Sequence, residues 1–357
     1  MNNEITKRYD NIDLLKVIAI LMVLPLHTGL FVTDFIKMSS IGTYIQYAIR
    51  LVCAGVPLFI LVNGFLLINK NFDLKKHVRK ILKIFLLIVI WSSIFICLKN
   101  LIIGEKISIE SFITNFLNTN ISSKYTGELW SLQNLIMLYI VFPFIKALHD
   151  SNKKVYNYCA ITLFVFTFGT NLLNLVIEPL SYITECDWIK LIVSYIGKYN
   201  PFSNSIFLSY FILGGFLKDL ECSKNKKRTI YILAILSYIV VIIYGYGVSF
   251  LYNKTYSCNY NYSQVFLAII YIAFFYLSKN YKNTGNIFNK IIKSISKNTM
   301  GIYFIHWICT FMEFKYFNLA EYRLLYRVII TMAIFVVSYT ISIIISKIPK
   351  LNNLIKL

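Results

Sequence analysis

Charged side chains are scarce in this chain. Asp, Glu, Lys and Arg make up 15% of the 357 residues, whereas soluble domains carry about 25%. Apolar residues reach 57%, above the roughly 45–50% of a soluble domain. The deficit of charge and the excess of apolar side chains exclude an ordinary soluble domain and predict a protein that folds in a lipid bilayer.

Several sequence patterns are also missing. The seven cysteines have no CxxC or other metal-ligand spacing, which argues against a zinc site and a disulfide framework. Cys186 and Cys258 both fall on the predicted external side and could still pair. No unit of about 20–50 residues repeats, and no inverted repeat of the secondary-transporter kind is found. The first apolar stretch is too long for a cleavable signal and contains His27. We therefore expect one membrane-embedded domain over residues 1–357.

Long apolar runs recur along the whole chain. Each is close to the roughly 20 residues that a helix needs to cross the hydrocarbon layer. They predict an all-α, polytopic membrane bundle of about ten transmembrane helices. The predicted spans are 12–33, 43–69, 81–103, 128–147, 155–177, 204–220, 229–250, 262–278, 298–314 and 323–346.

The net charge of +20 raises the question of a nucleic-acid partner. The placement of the basic residues answers it, because 22 of the 36 Lys and Arg fall in alternate segments between the predicted spans. Eight other Lys and Arg residues fall in the remaining segments between spans. The positive-inside rule puts the larger group in the cytoplasm together with both termini. The basic charge thus indicates topology, with anionic lipid headgroups as its partner and no nucleic acid.

The first span contains three ionisable residues, Asp13, Lys16 and His27. At 100° per residue the step from Lys16 to His27 exceeds three full turns by only about 20°, so both side chains project from one face. Their separation along the axis is about 16 Å. Ionisable groups within a membrane are functional candidates. Two structural alternatives stay open: His27 as a neutral histidine bonded to a neighbouring helix, and Lys16 as a snorkelling lysine at the interface.

A cluster of cations follows the second span. That span contains Asn63 in GVPLFILVNGFLL, and the next stretch, KKHVRKILKIF, carries Arg79, Lys80 and Lys83. Lys80 and Lys83 are about one helical turn apart. As a set these cations could bind the phosphates of a cofactor, or they could follow from the positive-inside bias alone.

Two later spans begin with polar or aromatic residues. Glu128 and Trp130 stand at the external entrance of the fourth span, where Trp is a common interfacial anchor. The ninth span places His306 within the membrane, shortly after Gly301 and Tyr303. A structural role for this histidine is the alternative to a catalytic one.

Together these segments resemble the acyltransferase 3 family of bacterial membrane proteins, which includes O-acetyltransferases of surface polysaccharides. The likeness covers nearly the whole chain. Five segments carry it in order: Lys16 and His27 with ten residues between them, PLFILVNGF at 57–65, Lys80 and Lys83 where the family has an RxxR motif, LWSLQNLIMLYIVFP at 129–143, and GIYFIH at 301–306.

The resemblance implies a transferase of the bacterial plasma membrane that delivers an acyl group, commonly acetyl from cytoplasmic acetyl-CoA, to a glycan or polysaccharide outside. The donor is a substrate, and no tightly bound cofactor or metal is implied. We predict catalytic roles for His27, Lys16 and His306.

Two binding regions complete this prediction. Cofactor binding is assigned to Lys80, Lys83 and Arg79, although lysine lacks the bidentate fork of arginine. Substrate binding is assigned to Trp130, Glu128 and Asn63.

Mid-membrane placement of His27 fits this chemistry, because a donor held at the cytoplasmic mouth has to reach into the bundle. A buried imidazole could accept the proton of an attacking hydroxyl. The competing functions are an exporter or flippase of a polysaccharide or lipid-linked sugar, and a structural or sensory membrane protein that needs neither histidine.

Overall fold

The computed structural model describes residues 8–31, 40–68, 70–104, 108–122, 129–202, 205–253, 264–282, 284–317 and 322–356. The described residues are helical apart from turns and short connections, which confirms the all-α prediction. The helices are α1 (Asp10–His27), α2 (Ile41–Val52), α3 (Gly55–Leu67), α4 (Leu74–Ile103), α5 (Ile109–Ser122), α6 (Trp130–Ser151), α7 (Lys153–Phe164), α8 (Thr170–Thr184), α9 (Asp187–Tyr199), α10 (Ile206–Asp219), α11 (Lys224–Tyr252), α12 (Val265–Ser278), α13 (Ile287–Tyr316) and α14 (Leu324–Lys347).

Among the described residues, six stretches are long and apolar enough to cross a membrane. They are Ile41–Leu67, Leu74–Ile102, Trp130–Ser151, Lys153–Thr184, Lys224–Tyr252 and Leu324–Lys347. Large apolar side chains on α4, α11 and α14 are exposed, which suits helices that face lipid. The protein is therefore a multi-pass membrane protein, while the count of ten spans stays a prediction.

Several boundaries differ from the prediction. The second span, predicted at 43–69, breaks at Cys53 and Ala54 into α2 and α3. The fifth, predicted at 155–177, extends over 153–184 through a π-helical turn at Val165–Gly169. The segments 104–127 and 178–203 lie between predicted spans, yet they contain α5, the end of α8, and α9.

Polar side chains cap the long helices at the ends that were predicted to be cytoplasmic. Asp73 accepts a hydrogen bond from the Lys76 backbone at the start of α4, and Ser223 and Asn286 cap α11 and α13 in the same way. The bond from the Lys76 amide also lowers the pKa of the exposed Asp73 carboxyl. The Asp73 cap explains why α4 begins at Leu74, seven residues before the predicted span at 81.

Helix α1 lies at the centre of the described bundle, with α3 and α13 among its neighbours. It runs parallel to α13, since Asp13 contacts Ser296 towards one end and His27 contacts Trp307 towards the other. Helix α14 runs antiparallel to both: Thr28 bonds Thr331 near its start, and Ser342 bonds Asn298 near its end. This alternation agrees with the predicted order of spans.

Glycines allow α3 and α10 to pack with their backbones in contact. A Cβ at Gly64 would overlap the carbonyl oxygen of Phe211, and one at Gly214 would overlap that of Leu61. Close approach through small residues is the usual way in which membrane helices associate, because apolar burial alone gives no advantage in lipid. The contact holds α3, and with it Asn63, in position.

We expect Gly64→Ala to destabilise the protein by about 1–3 kcal/mol, because the added methyl group meets backbone that cannot move aside. Gly247→Ala is the matched control, since a Cβ at this exposed glycine of α11 meets open space. Thermal unfolding of both variants in the same detergent is the measurement. Equal midpoints for the two variants would show that the α3–α10 contact is looser than described.

Candidate functional site

A cavity of about 640 Å³ opens among α1, α3, α4, α6, α13 and the segment after α14. We call it the basic cavity. Its charged lining residues are Arg8, Asp13, Lys16, Lys80, Lys297 and Lys356. Five cations thus face one carboxylate in the described lining, and this excess favours an anionic ligand.

Asp13 is the buried carboxylate of the basic cavity, with only 6% of its surface exposed. It accepts a hydrogen bond of 2.6 Å from Arg8 Nε and another of 2.6 Å from Ser296 Oγ. Arg8 also donates to the Lys293 carbonyl. Both oxygens of Asp13 are engaged by Arg8 and Ser296, so this one carboxylate cannot balance the four lysines that also line the cavity.

Lys80 points over the ring of Tyr139, with 5.0 Å between Nζ and the ring centroid. The His77 ring stacks on the same Tyr139 ring, with 5.4 Å between the two ring centroids and 7° between the planes. The Tyr139 hydroxyl donates to Asn63 Oδ1 at 3.4 Å, and Asn63 Nδ2 donates to the Phe59 carbonyl. These contacts bring two predicted site residues, Lys80 and Asn63, into the same cavity as Lys16.

The other two predicted phosphate-binding residues lie elsewhere on α4. Arg79 is exposed and Lys83 is half-buried, and neither is among the lining residues described for the basic cavity. Successive residues of a helix point about 100° apart, so Arg79 cannot share the direction of Lys80. Cofactor binding by Arg79 and Lys83 stays a prediction that the cavity geometry does not support.

The two predicted histidines meet at the far end of α1. The rings of His27 and His306 are 5.7 Å apart, and Trp307 contacts His27 edge-to-face at 5.3 Å. We call His27, His306 and Trp307 the histidine cluster. None of the three lines the basic cavity as described, so the structure divides the predicted catalytic residues between two places.

His306 is fully buried, and its Nδ1 lies 3.1 Å from the carbonyl oxygen of Ile302. A carbonyl only accepts hydrogen bonds, so Nδ1 is the donor of this bond. At the end of α1 the Thr28 hydroxyl bonds that of Thr331, 2.8 Å away. The first bond orients the His306 ring, and the second ties the end of α1 to α14.

Tyr303 connects the two places. It lines the basic cavity, its ring is 5.8 Å from that of His306, and its hydroxyl lies 2.6 Å from Ser131 Oγ. Ser131 also lines the basic cavity. A ligand that fills the cavity past Tyr303 would therefore approach the histidine cluster.

Of the two substrate residues predicted at the fourth span, Trp130 and Glu128, the structure describes only Trp130. Trp130 packs its ring against Phe207 at 5.6 Å and is not among the described lining residues, whereas its neighbour Ser131 is. Glu128 and Cys258 lie outside the described residues, so neither the substrate role of Glu128 nor the pairing of Cys186 can be placed.

Sequence reasoning missed the contributions of Arg8, Ser131, Tyr303, Trp307 and Lys356. Tyr303 carried a usable signal, because it precedes His306 by three residues and so shares its helix face. Arg8 and Lys356 were counted only as topology signals. Nothing in the sequence pattern brings the segment after α14 back to the start of α1.

Comparisons with known proteins agree with this picture. No curated protein and no solved structure matches the chain. A family model described as an acyltransferase domain matches residues 9–347, which contain both the histidine cluster and all but two of the charged residues of the basic cavity. The chain therefore belongs to the acyltransferase 3 family of membrane acyltransferases.

Proposed function

We propose that this acyltransferase moves an acyl group, with acetyl as the expected one, from cytoplasmic acyl-CoA to a hydroxyl of a glycan outside the plasma membrane. The observation that carries the proposal is the position of Tyr303, which lines the cation-lined cavity and whose ring also contacts that of His306, the neighbour of His27. A polyanionic donor with a long neutral arm suits the cavity, and the histidines on the other side of Tyr303 can transfer a proton.

The basic cavity is suited to the phosphates of the donor. Lys16 and Lys80 approach from two different helices, α1 and α4, so they can contact a phosphate from two sides. Charge-assisted bonds to phosphate are roughly twice as strong as neutral ones. The cavity is reached from helix ends that the positive-inside rule assigns to the cytoplasm, where acyl-CoA is found.

The distance along α1 from Lys16 to His27 supports binding of the donor phosphates at one end of the helix and acyl transfer at the other. Lys16 and His27 are about 16 Å apart along the helix axis, which is of the order of the extended pantetheine arm. With the phosphates at Lys16 and Lys80, the thioester reaches the histidine cluster.

The transfer needs no reactant besides the acyl-CoA, the acceptor hydroxyl and His27. His27 accepts the proton of the acceptor hydroxyl while the oxygen of that hydroxyl attacks the thioester carbonyl. The tetrahedral intermediate collapses by breaking the carbon–sulfur bond, and the imidazolium returns the proton to the leaving thiolate. The products are an O-acyl glycan and free CoA.

His306 and Trp307 have a positioning role in this scheme. The edge-to-face contact of Trp307 and the neighbouring His306 ring hold the His27 imidazole in one orientation, and a fixed base avoids the entropic cost of finding its place in the transition state.

The first test is His27→Ala. General base catalysis contributes about 10²–10⁴-fold, so we expect acyl transfer from acetyl-CoA in membranes to fall by at least about 100-fold. His149→Ala is the control, because that histidine bonds Asp150 near the end of α6, outside the histidine cluster.

Full ester formation by His27→Ala would refute the proposal. So would export of an unmodified polymer that continues without any acyl-CoA supply, which is the behaviour of a transporter.

The second test is Lys80→Ala, which should weaken acetyl-CoA binding about tenfold, the loss expected for one partly desolvated charge-assisted contact. Lys76→Ala is the control on the same helix, since Lys76 is exposed and pairs with Asp73 at 3.4 Å. Binding is measured calorimetrically on protein in nanodiscs.

Arg79→Ala and Lys83→Ala are measured alongside. We expect a smaller loss for both, and a loss equal to that of Lys80→Ala would restore the predicted role of these two residues. An unchanged affinity in Lys80→Ala would place the donor phosphates outside the basic cavity.

A further inference from the structure

The chain reverses direction directly after α14. Lys350 has a φ of 72° and a ψ of −50°, and the Leu351 amide donates to the Pro349 carbonyl at 2.9 Å. This is the geometry of a γ-turn of the rare, strained kind, at a residue that is not glycine. A short 3-10 helix, Leu351–Leu354, follows. We call Ile348–Lys356 the return segment.

A strained backbone persists only where surrounding contacts hold it, and here a tryptophan supplies one. Trp91 of α4 is 4% exposed, and its indole Nε1–H donates to the Leu354 carbonyl at 2.8 Å. The same indole stacks on Phe304 of α13 at 4.5 Å with 11° between the planes. The return segment is thus clamped between α4 and α13.

The end of the return segment reaches the basic cavity. Ile355 is 1% exposed and packs against Gly301, where an added Cβ would lie 3.3 Å from the Ile355 Cβ. Ile355 and Lys356 both line the cavity, together with Lys16, Lys80 and Lys297. A segment that needed only an anchor on the bundle surface would not place a lysine there.

We propose that the return segment is part of the donor site, with Lys356 as a cation for the phosphates of acyl-CoA and Ile355 as the apolar wall beside it. The proposal rests on the proposed function. The match to the family ends at residue 347, so this contribution to donor binding belongs to residues of this chain beyond the family's matched region.

The geometry separates the roles of the parts. Lys350 sets the reversal and Trp91 holds Leu354, so these two are positioning residues. Ile355 packs beneath Gly301 and forms the apolar wall, and Lys356 supplies the charge that contacts the ligand. Its cationic side chain is half-buried, where charge on a ligand is screened less than at an open surface.

The experiment titrates acetyl-CoA into the full chain in nanodiscs of phosphatidylcholine alone, which removes anionic lipid as a competitor for the lysine. We expect Lys356→Ala to bind about three- to fivefold more weakly and with a reduced dependence on salt. Lys356→Arg should restore both. Lys347→Ala is the matched control, because this exposed lysine at the end of α14 does not line the described cavity.

A second variant tests the clamp without removing any charge. Trp91→Phe keeps an aromatic ring on Phe304 but loses the bond to the Leu354 carbonyl, so we expect binding and its salt dependence to fall in the same direction as in Lys356→Ala but by less. Unchanged binding would overturn the role of the clamp. Thermal unfolding of the same preparation shows that the variant is folded.

The outcomes separate the two proposals. Lack of acetyl-CoA binding by the unaltered protein would overturn the proposed function and this inference with it. Binding by the unaltered protein, with equal affinity and salt dependence in Lys356→Ala, would overturn only the role of the return segment. If the loss appears only when the titration is repeated in nanodiscs that contain anionic lipid, Lys356 belongs to lipid headgroups and the inference is likewise overturned.

Discussion

The hydrogen bond between Asp13 and Ser296 sets the register of α1 against α13. A carboxylate that is buried in a membrane bundle needs polar partners, because an uncompensated charge there is costly. Ser296 and Arg8 supply them, both at 2.6 Å. With two parallel helices fixed at this point, the rise along each is nearly the same, and residues further along must meet in turn. His27 therefore arrives beside His306 and Trp307.

Electrostatic imbalance is the second constraint on the site. Four lysines from separate parts of the chain, Lys16, Lys80, Lys297 and Lys356, line one cavity with a single carboxylate in its described lining. Like charges at close range repel, so this arrangement lowers the stability of the empty protein. A polyanionic ligand reverses the sign of that contribution, which links the charge of the cavity to the donor that we propose.

The distribution of polar groups also separates binding from chemistry. The cations lie near the starts of α1, α4 and α13, whereas the histidine cluster lies at the other end of α1, where the Trp307 ring contacts His27. Tyr303 belongs to both surroundings and bonds Ser131 of α6. A donor bound at one end and reacting at the other, with the acceptor on the opposite side of the membrane, would make the thickness of the bilayer part of the reaction.

Much of this protein was predictable from the sequence. Apolar runs of membrane length identify a helical membrane protein, because a helix satisfies its backbone hydrogen bonds within a single segment. The eleven-residue step from Lys16 to His27 places them on one face of α1, since the helical period is local. Motifs in the right order identify the acyltransferase 3 family, which the match over residues 9–347 confirms.

Only the tertiary structure decided which residues share a site. Spacing treated Lys80 and Lys83 as a pair, but Lys80 alone turns over Tyr139 into the cavity. Tyr139 is 59 residues further along the chain, so only the fold brings it beneath Lys80. The return of Lys356 to the start of α1 is the extreme case. Helical period and charge are properties of neighbouring residues, whereas a cavity is made by contacts between residues far apart, which no local pattern encodes.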